Sequence, residues 1–433
     1  MGATFSDWDA SLKEMYGEKE VKSLAFVDNV LMGTFPKERS GGDYFVQTVH
    51  TNAPGGSSAS FTKAKSNGTA SRQSKLNITR VSMFQRVGVD LHLMLSGDKA
   101  SESVIRVSKE FDFGFQELSS KVERRLFRST SGRIGKVKST TTVTSATIIL
   151  EDKADAFNFQ PGDKLNFSTA DGGGSVRAGG TLSGIATVSS VDYDAGTVLT
   201  AGANLSTETG MAVGDFIFQD GDYDSCIAGL ESWLPVDDRS TKLAASFYGL
   251  TRSSNPQRLG GVYFDATQAS LDANGIMIRL ASELSKHGGK PDLVICPIDF
   301  FAELQQIWLT ARKGFEMVEV SARDRTADGS ELIISRLYPG MRALVGGFRV
   351  TIVPSRYCPS NRLYMLQRDT WTLRYVGDSV PCFALEQVGD SMLRVDTWTS
   401  GLTVPEVECW LAAYINLGCE APGKNGVAKL PTA

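Results

Sequence analysis

The string DGDYDSCIAGLE, Asp220 to Glu231, places carboxylates at positions 1, 3, 5 and 12 of a calcium-loop pattern, with Ile227 at position 8. Such a loop needs glycine at position 6 for its sharp turn. Ser225 stands there, and strand-forming sequence precedes it where a helix is required. The string reads as an acidic linker. The three histidines, His50, His92 and His287, neighbour no Gly-x-Ser-x-Gly elbow and no His-Glu-x-x-His pair, so each reads as a structural or solvated side chain. The glycine-rich string DGGGSVRAGG (171–180) carries no phosphate-loop lysine and reads as a flexible hairpin tip. In PDLVICPIDFF (291–301) no glycine separates strand from helix, as a dinucleotide-binding turn would require. Asp and Glu pairs are plentiful, but spacing alone cannot place two of them across a cleft. The expectation is therefore a chain with no catalytic, cofactor-binding or metal-ligating residue, and not an enzyme.

Addresses and redox state point the same way. Six cysteines (Cys226, Cys296, Cys358, Cys382, Cys409 and Cys419) are scattered without a Cys-x-x-Cys pair, which argues for folding in a reducing cytoplasm. The N-terminus lacks the basic and apolar regions of a signal peptide, so the Asn-x-Ser/Thr triplets at Asn67, Asn77 and Asn204 carry little weight. MGATFS matches a myristoylation pattern, but no polybasic second signal follows. No apolar run is long enough to span a bilayer, so no membrane partner is expected.

The elements around these residues say more than the residues do. A chain of 433 residues is too long for one simple core and implies two to four units. Its net charge of −4 hides an asymmetry: Glu151 to Asp224 holds twelve acids and three bases, a net of −9, which leaves +5 for the remainder. A step of that size marks a separate unit. Within it, VSSVDYDAGTVLTAG (188–202) reads as a hairpin, and PGDKLNF (161–167) echoes VGDFIFQ (213–219), so a small β-barrel is expected. Ahead of it lie a polar arm over residues 1–40, a strand at 43–50, and a strictly alternating run through Val87, Val89, Leu91, Leu93 and Leu95. The stretch between, Thr51 to Lys75, has no acid, four bases and one aromatic, Phe61, and cannot build a core. Val104, Val107, Phe111, Phe115, Leu118, Val122 and Leu126 then form one helical stripe, predicting a helix over 98–128 with Ser96 or Asp98 as its cap. Its end is basic (Arg124, Arg125, Arg128, then Arg133, Lys136, Lys138), and cations there suit the helix dipole. Beyond Asp224 come a helix near 267–287, a buried strand PDLVIC, a helix opened by Pro297, and strand-like runs at 343–353, 362–367, 371–376 and 392–417.

This order resembles the major capsid protein of tailed double-stranded-DNA bacteriophages, the Hong Kong 97-type capsid fold. The resemblance rests on FYGLTRSSNPQRLGGVYFDATQ (247–268), the helix–strand–helix series ASLDANGIMIRLASELSKHGG, PDLVIC and PIDFFAEL, and the close LRVDTWTSGLTVPEVECWLAAYINLGCEAPGKNG (393–426). It implies an α+β chain with an N-terminal arm (1–40), an extended loop (41–97), a spine helix and peripheral domain (98–147), an inserted acidic β-module (148–223), an axial domain (224–389) and closing strands of the peripheral domain (390–433). It implies a structural protein that self-assembles through hexamers and pentamers into an icosahedral shell around double-stranded DNA. That shell would be part of the virion and would be assembled in the bacterial host cytoplasm. Portal and scaffolding proteins would be partners, a decoration protein could dock on the module, and packaged DNA would be met without sequence reading. The candidate intersubunit contacts are Phe61, Lys63, Lys65 and Arg72 in the loop, and Arg124 and Arg125 on the helix. The arm is too short for the protease-removed region of some relatives, which favours a separate scaffolding protein. Lys63 and Lys65 sit where some relatives crosslink, but the sequence identifies no partner asparagine. The competing readings are an encapsulin-type compartment with a protein cargo, a carboxylate enzyme with a β-module lid, and a tail or fibre component.

Overall fold

In the computed structural model the described residues are 29–42, 44–52, 54–90, 100–244, 246–268, 271–310, 340–376 and 403–431, with short strands at 316–317, 324–325, 331–332, 384–386 and 394–397. The long helix runs Ala100–Phe127. Its stripe does what the spacing requires: Phe111, Phe115, Leu118, Val122 and Leu126 are all buried. The expected caps Ser96 and Asp98 lie outside the described residues.

The helix lies on a six-stranded sheet built around the strand Thr403–Cys419. One edge of that strand pairs antiparallel with Val81–Asp90, from Ile415↔Val81 to Glu406↔Asp90. The other edge pairs with Trp371–Tyr375, Ala384–Glu386 and Arg394–Thr397. Gly114 of the helix sets the approach, since a Cβ there would come within 2.3 Å of Val87 Cγ2. The sheet also corrects the expected polar arm. Lys37–Arg39 pairs parallel with Leu373–Tyr375, Val30, Leu31 and Met32 are buried, and Phe35 stacks on Trp371 at 5.6 Å. Residues 29–39 thus find their surface in their own chain; residues 1–28 lie outside the described set.

The extended loop is a hairpin of Tyr44–Asn52 with Arg72–Thr79, bulged between His50 and Asn52. Phe45, Val49, Leu76 and Ile78 face the main core, and the tip carries a short helix, Phe61–Ser66, with no buried residue. The alternating run at Val87 and Val89 belongs to the sheet rather than to this hairpin, because its hydrogen bonds go to Thr403–Cys419. Leu91, Leu93 and Leu95 lie outside the described residues.

The acidic region forms a six-stranded sheet in the order Arg133–Lys136, Phe216–Gln219, Lys164–Ser168, Ile185–Asp192, Thr197–Thr200, Thr147–Ile149. A bridge between Val137 and Leu150 joins its two ends into a barrel. Val137, Phe159, Leu165, Phe167, Val198 and Ile217 fill it. The two echoed segments become neighbouring strands, with Ile217 opposite Phe167. The barrel starts at Arg133 and not at the expected module boundary at 148, because its first strand is basic and is held by pairing rather than by composition.

The remaining unit is a seven-stranded sheet in the order Val262–Asp265, Gly426–Lys429, Arg362–Leu366, Leu293–Cys296, Phe348–Pro354, Met341–Val345, Glu316–Met317. Met277, Leu280 and Leu284 of helix Ala273–Lys286 and Leu304 of helix Ile298–Thr310 share its core with Val294, Ile352 and Met365. The first helix starts later than expected because Asp272 caps it, accepting from Gly275 N at 2.8 Å, while Asp265 holds Thr267 in a turn. Three assignments along the chain change. Trp371–Tyr375 and Ala384–Glu386 belong to the sheet under the long helix, and the last strand, Gly426–Lys429, belongs to the seven-stranded sheet. Among the described residues no helix is long and apolar enough to cross a membrane.

Candidate assembly surfaces and the barrel neck

The basic end of the long helix meets the barrel of its own chain. Arg125 pairs with Asp222 and Arg128 with Asp155; Lys121 lies 3.8 Å from Asp163. Just past the helix, Arg133 pairs with Asp171 at 2.9 Å and Lys136 with Glu151 at 2.7 Å. Arg124 is buried, donates to the Asn158 carbonyl and lies 3.3 Å from Glu117. Five of the barrel's acids are thus matched by the neck beneath them. Arg124 and Arg125, expected at a contact between subunits, point into the chain.

Glu231 is the centre of this neck. It is 2% exposed, pairs with Arg362, and lies 3.4 Å from Arg133 and 3.6 Å from Arg128. Burial alone would raise its carboxyl, but Arg362, Arg133 and Arg128 outweigh burial and hold it at about 2. The chain reaches Glu231 through Gly229, where a Cβ would lie 2.3 Å from the Leu126 carbonyl at the helix end. The four acids of the calcium-like string therefore diverge. Asp220 accepts from Asn166, Asp222 binds Arg125, Asp224 accepts from Gly173 N, and Glu231 binds arginines. The same linker ties down the glycine-rich string expected to be a flexible tip: Tyr223 accepts from Gly174 N at 2.9 Å, and Arg177 is paired with Asp215. Among the described residues no group of three or more His, Cys, Asp or Glu is placed to hold a metal. Cys226, Cys296, Cys358 and Cys419 are buried free thiols, each pushed up by burial.

A second buried glutamate works at the other side of the long helix. Glu123 is fully buried and accepts from Leu31 N at 2.7 Å and Met32 N at 3.0 Å, fastening residues 29–39 to the helix. Burial pushes its carboxyl up to about 7, against the pull of those two N–H groups and of Lys37.

FYGLTRSSNPQRLGG acts as a bolt. Tyr248, at φ +48°, and Gly249 turn the chain between Ser246–Phe247 and Leu250–Thr251. Phe247 packs edge-on against Trp233, and the Arg252 guanidinium lies 4.0 Å over the Phe247 ring. Arg252 also donates to the Ser232 and Trp233 carbonyls at 2.6 and 3.2 Å. Asn255 caps the turn at Pro256 and donates to the Thr51 carbonyl, which anchors the hairpin just before its tip.

The tip itself is held by little. Phe61 is 83% exposed, and Lys63, Lys65 and Arg72 are exposed. Among the described residues no acid pairs with any of these three bases. Of the six expected contact residues, the structure leaves these four on one protruding hairpin and takes Arg124 and Arg125 inward. Sequence reasoning missed Glu123 and Arg362, which sit in no recognisable motif, and met Glu231 and Arg252 only as members of the calcium-like string and of FYGLTRSSNPQRLGG, without their buried roles.

No protein-family model and no curated protein matches the chain in sequence. Solved structures do match it in shape. The capsid asymmetric unit of cyanophage A-1(L) superposes over 94% of both chains, with a TM-score of 0.52 at 11% identity. The chain has the Hong Kong 97-type capsid fold. More distant matches are the capsid of a native GTA particle (TM-score 0.42, 11% identity, 93% and 90% covered) and the SrpI encapsulin of Synechococcus elongatus (0.40, 8%, 92% and 86%).

Proposed function

We propose that the protein is the major capsid protein of a tailed double-stranded-DNA phage, and that it self-assembles through hexamers and pentamers into an icosahedral shell. The observation that carries this reading is a match to a capsid asymmetric unit over 94% of both chains, combined with a hairpin whose exposed aromatic, basic tip pairs with no acid among the described residues. A tip of that kind gains its burial only when a second copy arrives. The work is mechanical: the spine and peripheral sheet give a stiff plate, the hairpin reaches across to a neighbour, and no bond is made or broken. Packaged DNA, portal and scaffolding proteins are the further partners of that role, and the virion is its place.

The test is negative-stain microscopy of the purified chain, alone and co-expressed with its neighbouring genes. Closed shells, or rings of five and six copies, are expected. A small monodisperse oligomer under every condition refutes the reading.

A further inference from the structure

We infer that the hairpin tip of one copy docks on the inserted barrel of a second copy, at the stacked ring pair Phe157–Tyr193. This rests on the shell reading above and names the surface by which copies grip one another.

The barrel carries an apolar feature that its own core does not explain. Phe157 is 46% exposed and Tyr193 45% exposed, and their rings stack at 5.0 Å with an interplanar angle of 6°. The turn Asp192–Gly196 bears Tyr193 and packs against the short helix Lys153–Asn158 that bears Phe157, with Gly196 close to Lys153. The rim is acidic. Asp192 and Asp194 are exposed on either side of Tyr193, and Lys153 is the base nearby. Asp192 accepts from Asp194 N and Ala195 N through one oxygen, both at 3.0 Å. The Asp194 carboxylate has no partner among the described residues. These acids are also ones the neck leaves unmatched.

The hairpin tip is the complement in both respects. Phe61 offers one exposed ring, Lys65 one turn on shares its face of the short exposed helix, and Lys63 adds a second positive charge at the same tip. No acid lies between Thr51 and Lys75. Ring-on-ring contact gives the tip an apolar seat, and the acidic rim sets its sign. Two other exposed rings fit less well. Phe84 (54% exposed) is flanked by Arg80 and Arg86, which would repel the tip. Phe113 (62% exposed) is a single ring among charges of both signs, Lys109, Glu110 and Asp112.

The experiment is carbodiimide crosslinking of assembled particles, which joins a lysine to a carboxylate in direct contact, followed by peptide mapping. Alongside it, three variants are assembled: Lys63→Glu with Lys65→Glu, Asp192→Lys with Asp194→Lys, and all four together. The expected result is a crosslinked peptide joining Lys63 or Lys65 to Asp192 or Asp194 in particles and not in dissociated protein. Each double reversal should raise the protein concentration needed for assembly roughly tenfold, and the fourfold swap should restore it. Particles that assemble normally, with crosslinks elsewhere and no rescue by the swap, overturn the docking and leave the shell reading standing. If Lys63 or Lys65 links instead to Glu110 or Asp112, the seat is the spine helix and the barrel proposal is wrong. Failure of the parent chain to form any particle overturns both.

Discussion

The barrel neck and the hairpin tip carry much of the chain's clustered positive charge, and they present it differently. In the neck, Arg125, Arg128, Arg133 and Lys136 are each paired with an acid of the barrel above them, and Glu231 lies among three guanidiniums at 2% exposure. At the tip, Lys63, Lys65 and Arg72 are exposed beside a ring that is 83% exposed. The neck is finished within one chain; the tip pairs with no acid among the described residues, and in the proposed shell it is finished by another copy. The asymmetry seen in composition, an acidic module in a basic remainder, is therefore two features. One is an internal docking of module on spine, and the other is an outward offer from the loop.

Breaking the neck should give the largest effect. Glu231→Ala leaves three arginines facing one another in a buried site, and should lower unfolding stability by about 3–5 kcal/mol in a denaturant titration of the unassembled protein. Next comes pH, where the two buried glutamates run in opposite senses. Glu123 keeps a proton in the folded chain that the unfolded chain gives up above its ordinary 4.5, so its stabilisation is full below 4.5 and is lost as pH rises through about 7. Glu231 stabilises above 4.5 and loses that effect as pH falls toward about 2. The Glu123 swing is on the order of 3 kcal/mol, and Glu123→Gln should flatten the stability profile between those two pH values while leaving the acid limb in place. A smaller loss is expected from Gly114→Ala, where the new methyl meets Val87; overpacking there should cost about 1–3 kcal/mol and show as a lower melting temperature. The tip reversal Lys63→Glu with Lys65→Glu should change unfolding by less than about 0.5 kcal/mol, because both side chains are exposed and neither is paired with an acid among the described residues.

The parts legible in the sequence are those governed by local period or local composition. The spine helix follows from one stripe of apolar residues, and the barrel from its turns and charge. What sequence could not show is pairing at long range. Val81–Asp90 alternates as an outer hairpin strand would, yet its partner is Thr403–Cys419, far along the chain. Val30, Leu31 and Phe35 are too sparse to announce a core, and are buried because Glu123 and Trp371 wait for them on other elements. Arg124 and Arg125 look like a solvated helix end, since the acids that receive them, or the carbonyl in the case of Arg124, arrive only when the barrel folds back. FYGLTR was recognisable as a motif, but that Arg252 covers Phe247 and holds the carbonyls of Ser232 and Trp233 is visible only in three dimensions.

One measurement separates the two regions most directly: sedimentation velocity of the Lys63→Glu, Lys65→Glu variant under assembly conditions, with its melting temperature taken on the same sample. An unchanged melting temperature together with loss of the particle boundary is the predicted result, since the tip serves other copies and not its own fold. A particle boundary identical to that of the parent chain, or a melting temperature that falls with assembly intact, would contradict it.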